Sequence, residues 1–192
     1  MYIVVIGLGE VGRHLLKILD KDGHDVVAID QNEEQIAYAE DHFDVATITG
    51  YGANQQVLEN ARAGDADMVV AVTDDDEVNL IASLAAKQMG AERVIARVQG
   101  SEWGKATDGV GYGLLGVDVV LNPRVLVAKE FARIARSHGA DDVVDIADDR
   151  VELVELKLTE NSRYLGKPLS KIDLPAEVLI AAVVRDGELF IP

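Results

Sequence analysis

Tyr2-Ile3-Val4-Val5-Ile6-Gly7-Leu8-Gly9-Glu10-Val11-Gly12 opens the chain with an apolar run followed by three spaced glycines. Tyr2–Ile6 is a short apolar run without polar alternation, the pattern of a strand buried on both faces of a parallel sheet. The run stops at Gly7, and Val11, Leu15, Leu16, Ile18 and Leu19 then recur at helical spacing. A GxGxxG loop between a strand and a helix has a physical reason for each glycine. Gly7 permits a tight turn, Gly9 lets the backbone approach a pyrophosphate, and Gly12 lets the helix pack closely on the sheet. Leu8, Glu10 and Val11 share this loop, and the helix N-terminus after it offers N–H groups and a positive dipole end to phosphates.

Working outward, Asp25–Ile29, Val45–Thr49, Met68–Val72, Arg93–Val98 and Val117–Leu121 read as five more apolar strands, alternating with helical segments. That alternation predicts βαβ units and a Rossmann-like, doubly wound, parallel six-stranded sheet with helices on both faces. Gly100–Gly116 is glycine-rich and weakly patterned, and is expected to be a loop with at most a short helix. After residues 1–123 comes a helix over 124–138. Its Val125, Val127, Ala128, Phe131, Ala132, Ile134 and Ala135 cover about half the circumference at 100° per residue, with Leu126 in the polar arc. That is wider than one sheet face requires, so a second partner is expected. Residues 139–150 are polar and acidic and read as a linker. Residues 151–192 carry strand patterns at Val151–Leu158, Val178–Val184 and Glu188–Ile191, with a hairpin signal at Asp186-Gly187. Such a short β-rich unit cannot easily close its own core, so it is expected to be truncated or completed by another protomer.

Candidate ligand residues cluster at predicted strand ends, which face the ligand crevice in open α/β sheets. Asp30, followed by Gln31, ends the second strand roughly 20 residues beyond the glycine loop, where a carboxylate accepts hydrogen bonds from ribose hydroxyls. Its charge would repel a 2′-phosphate, which favours NAD over NADP. Gly50 and Tyr51 follow the third strand, where Tyr51 could stack on an adenine ring. Val72, Thr73 and Asp74 end the fourth strand, and Arg97 at the fifth could aim a cation at phosphates. Thr73 or Asp74 is expected to cap the next helix, with Asp76 or Glu77 completing a capping box.

Composition narrows the function classes. The net charge is −16, which opposes binding to nucleic acid or an anionic surface and argues against a DNA-binding redox regulator. Asp outnumbers Glu by 20 to 14 and Lys numbers only 8, a balance that resembles proteins of salt-loving organisms. With no cysteine, and His14, His24, His42 and His138 scattered, no metal site is expected. The sequence contains no apolar segment long enough to cross a bilayer, no nucleophile elbow and no Walker loop. A hydride-transfer enzyme also needs an acid or base beside the nicotinamide, usually from a substantial second domain. No such constellation stands out, so no catalytic residue is assigned; an NAD-dependent oxidoreductase remains the alternative.

Ile3–Gly12, Asp30, Ala66–Asn79 (ADMVVAVTDDDEVN), Gly90–Val98 (GAERVIARV) and Gly116–Pro123 (GVDVVLNP) resemble the RCK (TrkA-type) regulatory domains of potassium transporters and channels. Leu174–Pro192 resembles the first part of the companion TrkA-C domain. The resemblance implies a cytoplasmic nucleotide-sensing subunit of a Trk-type potassium uptake system, at the inner face of the membrane and partnered by an integral membrane pore. It implies a homodimer formed through the crossover helix and assembling into a ring. Its ligand would be NAD(H), with ATP or ADP as alternatives, held by Gly7, Gly9, Glu10, Val11, Gly12, Asp30, Tyr51, Thr73 and Arg97. Some ATP-responsive relatives carry Arg where this chain has Glu10, and an acid facing a γ-phosphate favours NAD(H). Tyr51 replaces a small polar residue common in the family.

Overall fold

A computed structural model describes residues 1–100, 103, 109–136, 142–146 and 151–192. It divides into two units, Met1–Ala132 and Arg133–Pro192.

The first unit is built on a seven-stranded sheet of order β3-β2-β1-β4-β5-β7-β6. Its parallel strands are β1 (Tyr2–Ile6), β2 (Asp25–Asp30), β3 (Ala46–Thr49), β4 (Met68–Ala71), β5 (Arg93–Arg97) and β7 (Val117–Leu121). These are the six expected from the sequence. β1 lies between β2 and β4, so it is hydrogen-bonded on both edges and its side chains alternate between two cores. Ile3 and Val5 enter a cluster with Leu16 of α1 (Glu10–Lys21) and Ile36 and Ala39 of α2 (Glu33–His42). Val4 and Ile6 enter another with Leu58 of α3 (Gln55–Asn60) and Leu80, Ala82 and Ala86 of α4 (Asp76–Met89). Each such Val or Ile contributes about 1.5–3 kcal/mol on burial, and coverage on both faces is what an all-apolar strand demands.

The seventh strand corrects the sequence reading. β6 (Val110–Leu114), expected within a loop, pairs antiparallel with β7 at the sheet edge. Leu115 (φ 52) and Gly116 (φ 83) form the two-residue turn between them. Gly111 and Gly113 hide the strand pattern, because glycine lacks the side chain that gives alternation its signal.

α5 (Pro123–Arg136) follows β7 at once. Asn122, the buried residue before it, accepts from the N–H groups of Arg124 (3.1 Å) and Val125 (3.3 Å), so it caps the helix. Val127, Phe131 and Ile134 of the broad apolar arc are exposed by 52%, 68% and 57%, while Leu126 packs against Gly109. The expected continuation to residue 138 lies outside the described residues.

In the second unit, β8 (Asp142–Ile146) pairs antiparallel with β9 (Val151–Glu155), and β10 (Val183–Arg185) with β11 (Glu188–Phe190). β8 corrects the reading of 139–150 as linker throughout; acidic residues at 142 and 145 mask its alternation. Residues 147–150 and 137–141 are outside the described set. Asp186 (φ 53) and Gly187 (φ 81) make the expected tight turn between β10 and β11. The strands expected over 151–158 and 178–184 are shorter in the structure, because β8 and β11 supply only five and three residues to pair with.

One buried amide joins the strand ends that frame the cleft. Asn79 of α4 has no solvent exposure. Its Oδ1 accepts from Thr73 N (2.8 Å) and Thr73 Oγ1 (2.7 Å), and its Nδ2 donates to the carbonyls of Thr73 and Arg97, both at 2.9 Å. Farther along β5 and β7, Asp118 accepts from Lys87 Nζ and Val94 N at 2.8 Å, and chiefly the lysine hydrogen bond holds its carboxyl below the usual value. Replacing Asn79 by Leu keeps the volume but takes the amide partner from the Thr73 N–H and from the Thr73 and Arg97 carbonyls, leaving the Thr73 carbonyl only its 3.4 Å bond from Arg97. Chemical denaturation of Asn79→Leu is expected to show a loss of roughly 2–4 kcal/mol. A loss under about 0.5 kcal/mol, the scale of a neutral surface change, would contradict this role.

Candidate functional site

The strand order reverses its direction of growth at β1: β2 and β3 lie to one side, β4, β5 and β7 to the other. In open α/β sheets a crevice forms at such a point, beyond the carboxyl ends of the strands. The β1–α1 loop occupies it. Gly7 has φ +95, and a Cβ there would lie 2.7 Å from Thr73 N, so β1 and β4 end in backbone contact. A Cβ on Gly12 would lie 1.9 Å from the Gly7 carbonyl oxygen, so α1 packs directly on the loop. Gly9 differs from both. Its φ is −64, ordinary for any residue, and a Cβ there would meet nothing within 4 Å. Neither backbone strain nor packing requires glycine at position 9; it leaves open space above the loop.

Gly9 is also the N-cap of α1, and it has no side chain to bond the first-turn N–H groups of Glu10, Val11 and Gly12. Among the described residues the other α-helices that begin in this unit are capped: α2 by Asn32, α3 by Asn54, α4 by Asp75 and α5 by Asn122. The Glu10 and Val11 side chains are exposed at the rim. Leu8 is fully buried, and its N–H donates to Asp30 Oδ2 at 2.6 Å.

Asp30, at the end of β2, therefore stands against the glycine loop. Its Oδ1 accepts from Asn32 N at 2.8 Å. A carboxylate has about four lone-pair positions, so each oxygen keeps one more acceptor site. Gln31 beside it is exposed. Gly50 donates its N–H to the Asp30 carbonyl at 2.8 Å, and a Cβ on it would lie 2.6 Å from Val57 Cγ2; α3 accounts for this glycine. Tyr51, next in the chain, is half exposed.

On the opposite side, Val72 is buried and Thr73 is locked by Asn79. The expected cap of α4 is corrected: the helix is capped by Asp75, whose Oδ1 accepts from Val78 N at 2.9 Å, and not by Thr73 or Asp74. Thr73 Oγ1 instead receives the Asp75 N–H at 3.3 Å, and Asp76 accepts from Gln99 N and Gly100 N at 2.8–2.9 Å. Arg97 reaches over the end of β4, where its Nη1 donates to Asp74 Oδ1 (3.2 Å) and to the Val72 and Thr73 carbonyls (3.4 Å). The structure thus brings the glycine loop, Asp30, Thr73 and Arg97 to one sheet edge. Sequence reasoning overlooked the Asn122 cap, which the Asn-Pro pair at a strand end signals, since proline favours the first helical position. No group of three or more His, Asp or Glu side chains that could hold a metal is present among the described residues.

The TrkA-N domain family matches residues 3–123 and the TrkA-C domain family matches residues 153–192. A Trk system potassium uptake protein TrkA homolog of Archaeoglobus fulgidus is 40% identical over 192 residues, covering 100% of this chain and 43% of that protein. The chain thus spans less than half the length of that relative. It covers 85% of a TrkA homolog of Pyrococcus abyssi, with 30% identity. Among solved structures, the GsuK channel bound to NAD shares the fold, with a TM-score of 0.56 and 20% identity over 77% of this chain and 25% of that one. With a TrkA-N match over 3–123 and a TrkA-C match over 153–192, this chain belongs to the TrkA family of Trk-system potassium uptake proteins.

Proposed function

We propose that this chain is a nucleotide-sensing regulatory subunit of a Trk-type potassium uptake system, binding NAD(H) in the β1–β4 crevice without turning it over. The observation that carries the reading is the uncapped start of α1 beneath the open space at Gly9, with the Asp30 carboxylate beside it. The diphosphate sits on the N–H groups of Glu10, Val11 and Gly12, where helix geometry and dipole favour an anion. Asp30 takes the ribose hydroxyls, Tyr51 lies beside the adenine, and Thr73 and Arg97 border the other half of the ligand. ADP or ATP would use the same loop, although Glu10 disfavours a third phosphate. The relative that is a GsuK channel bound to NAD supports this ligand class.

Membership of the family supports the rest of the proposal. The subunit works in the cytoplasm, at the inner face of the membrane, and its partner is an integral potassium transporter or channel. Residues 1–123 form the sensor, and α5 pairs with a second copy through Val127 and Phe131, as the first step towards a ring. Regulation then requires the ligand to bind two arrangements of the assembly with different affinity.

Calorimetry of the purified chain with NAD and NADH in high potassium chloride is expected to give affinity on the order of micromolar, with no hydride transfer to small carbonyl compounds. Failure to bind any adenine nucleotide sinks the reading, and steady NADH oxidation would favour an oxidoreductase. Asp30→Ala is expected to weaken NAD binding by about 1–3 kcal/mol through lost charge-assisted hydrogen bonds; unchanged affinity would remove Asp30 from the site. The two loop glycines separate fold from function. Gly12→Ala should destabilise the protein by about 3 kcal/mol, since its Cβ meets a backbone oxygen. Gly9→Ala should cost no more than about 1 kcal/mol of stability, the scale of a poorer N-cap, yet bind NAD about 1–3 kcal/mol more weakly. Full NAD affinity in Gly9→Ala contradicts a diphosphate at this loop. Phe131→Asp is expected to shift the mass measured by light scattering from dimer to monomer; an unchanged dimer would place the contact elsewhere.

A further inference from the structure

The three consecutive aspartates after β4 have different occupations. Asp75 caps α4, and Asp76 holds the Gln99 and Gly100 N–H groups. Asp74 has no such task among the described residues: its side chain is 93% exposed and its one partner is Arg97. Arg97 is the reverse case, with only 16% of its side chain exposed. Among the described residues all its guanidinium hydrogen bonds come from Nη1, and its buried Nε has no partner. A guanidinium carries five donors, so this one is under-used.

Its position gives the spare capacity a direction. Asp30 on β2 and Arg97 on β5 flank the glycine loop from opposite sides of β1. Thr73, whose carbonyl Arg97 touches, is in backbone contact with Gly7. Arg97 itself lies two strands from β1, but its Nη1 reaches the end of β4, the strand next to the loop, on the side away from Asp30. We propose that Arg97 reads the phosphate distal to the adenosine of a bound nucleoside diphosphate, and that Asp74 is a built-in counter-ion that holds Arg97 in reserve until that phosphate displaces it. This rests on the cleft reading of the preceding subsection. The exchange is favourable because Asp74 offers one oxygen at the protein surface, where ion pairs are weak. A phosphate anchored by the loop presents several oxygens to a planar fork of donors. The pair thus sets specificity between nucleotides that have and lack the distal phosphate.

The test compares AMP and ADP on the full chain by calorimetry, reading the ratio of their dissociation constants. Asp74→Asn removes the competing charge and is expected to raise the preference for ADP about twofold to fivefold. Arg97→Gln is expected to bring the preference towards one, and Asp74→Asn should add nothing on that background. A merely structural role would move both nucleotides together and leave the ratio unchanged. An unchanged ratio in Asp74→Asn, or the same gain with Arg97 already removed, overturns the proposal. Because Asp74 is exposed, its variant carries the test even if Arg97→Gln fails to fold. If the parent protein binds neither nucleotide, the cleft reading itself fails, an outcome distinct from failure of the counter-ion alone.

Discussion

The close approach of α1 to the end of β1 is the contact on which the rest depends. Backbone meets backbone there: a single carbon added at Gly12 would lie 1.9 Å from the Gly7 oxygen, and one added at Gly7 would strike Thr73. A tight corner of this kind cannot be built with side chains, and it brings the helix N-terminus to the edge of the sheet. Beside it, at the N-cap Gly9, there is open space and no side chain, so the N–H groups of the first turn stay available. Packing requires glycine at Gly7 and Gly12, while Gly9 between them is free of that requirement and leaves the helix start uncovered.

Around this corner, sheet order distributes charge. A carboxylate comes from β2 and a guanidinium from β5, with the positive end of α1 between them. An extended anion that also carries a sugar fits such a sequence of groups better than a bare phosphate does. Asn79 keeps the two far strands in register by joining Thr73 to Arg97. Thr73 and Arg97 are thereby tied through a buried, fully bonded amide, which tolerates little independent movement.

Much of this was legible in the chain. The glycine spacing and unbroken apolar runs announced the parallel sheet, and Asp30 was recognisable by its distance from the loop. Three things were not. β6 carries two glycines and so lacks alternation, and only its pairing with β7 makes it a strand. β8 is disguised by acidic residues. At the β4 end, sequence offered several oxygen-bearing residues within hydrogen-bonding reach of the same helix start. Only the backbone geometry decides that Asp75 caps, Asp76 reaches the β5 end, and Asp74 pairs with Arg97. The Gly50 example runs the other way: placed near a ligand by sequence, it owes its lack of side chain to Val57.

We propose that the corner at Gly7–Gly12 receives a diphosphate while Asp30 holds the adjoining ribose. A crystal structure grown with saturating NAD tests it most directly. Phosphate oxygens are expected within hydrogen-bonding distance of the Glu10, Val11 or Gly12 N–H groups, with a ribose hydroxyl on an Asp30 oxygen. An empty crevice, or NAD bound elsewhere with this corner unoccupied, would contradict it.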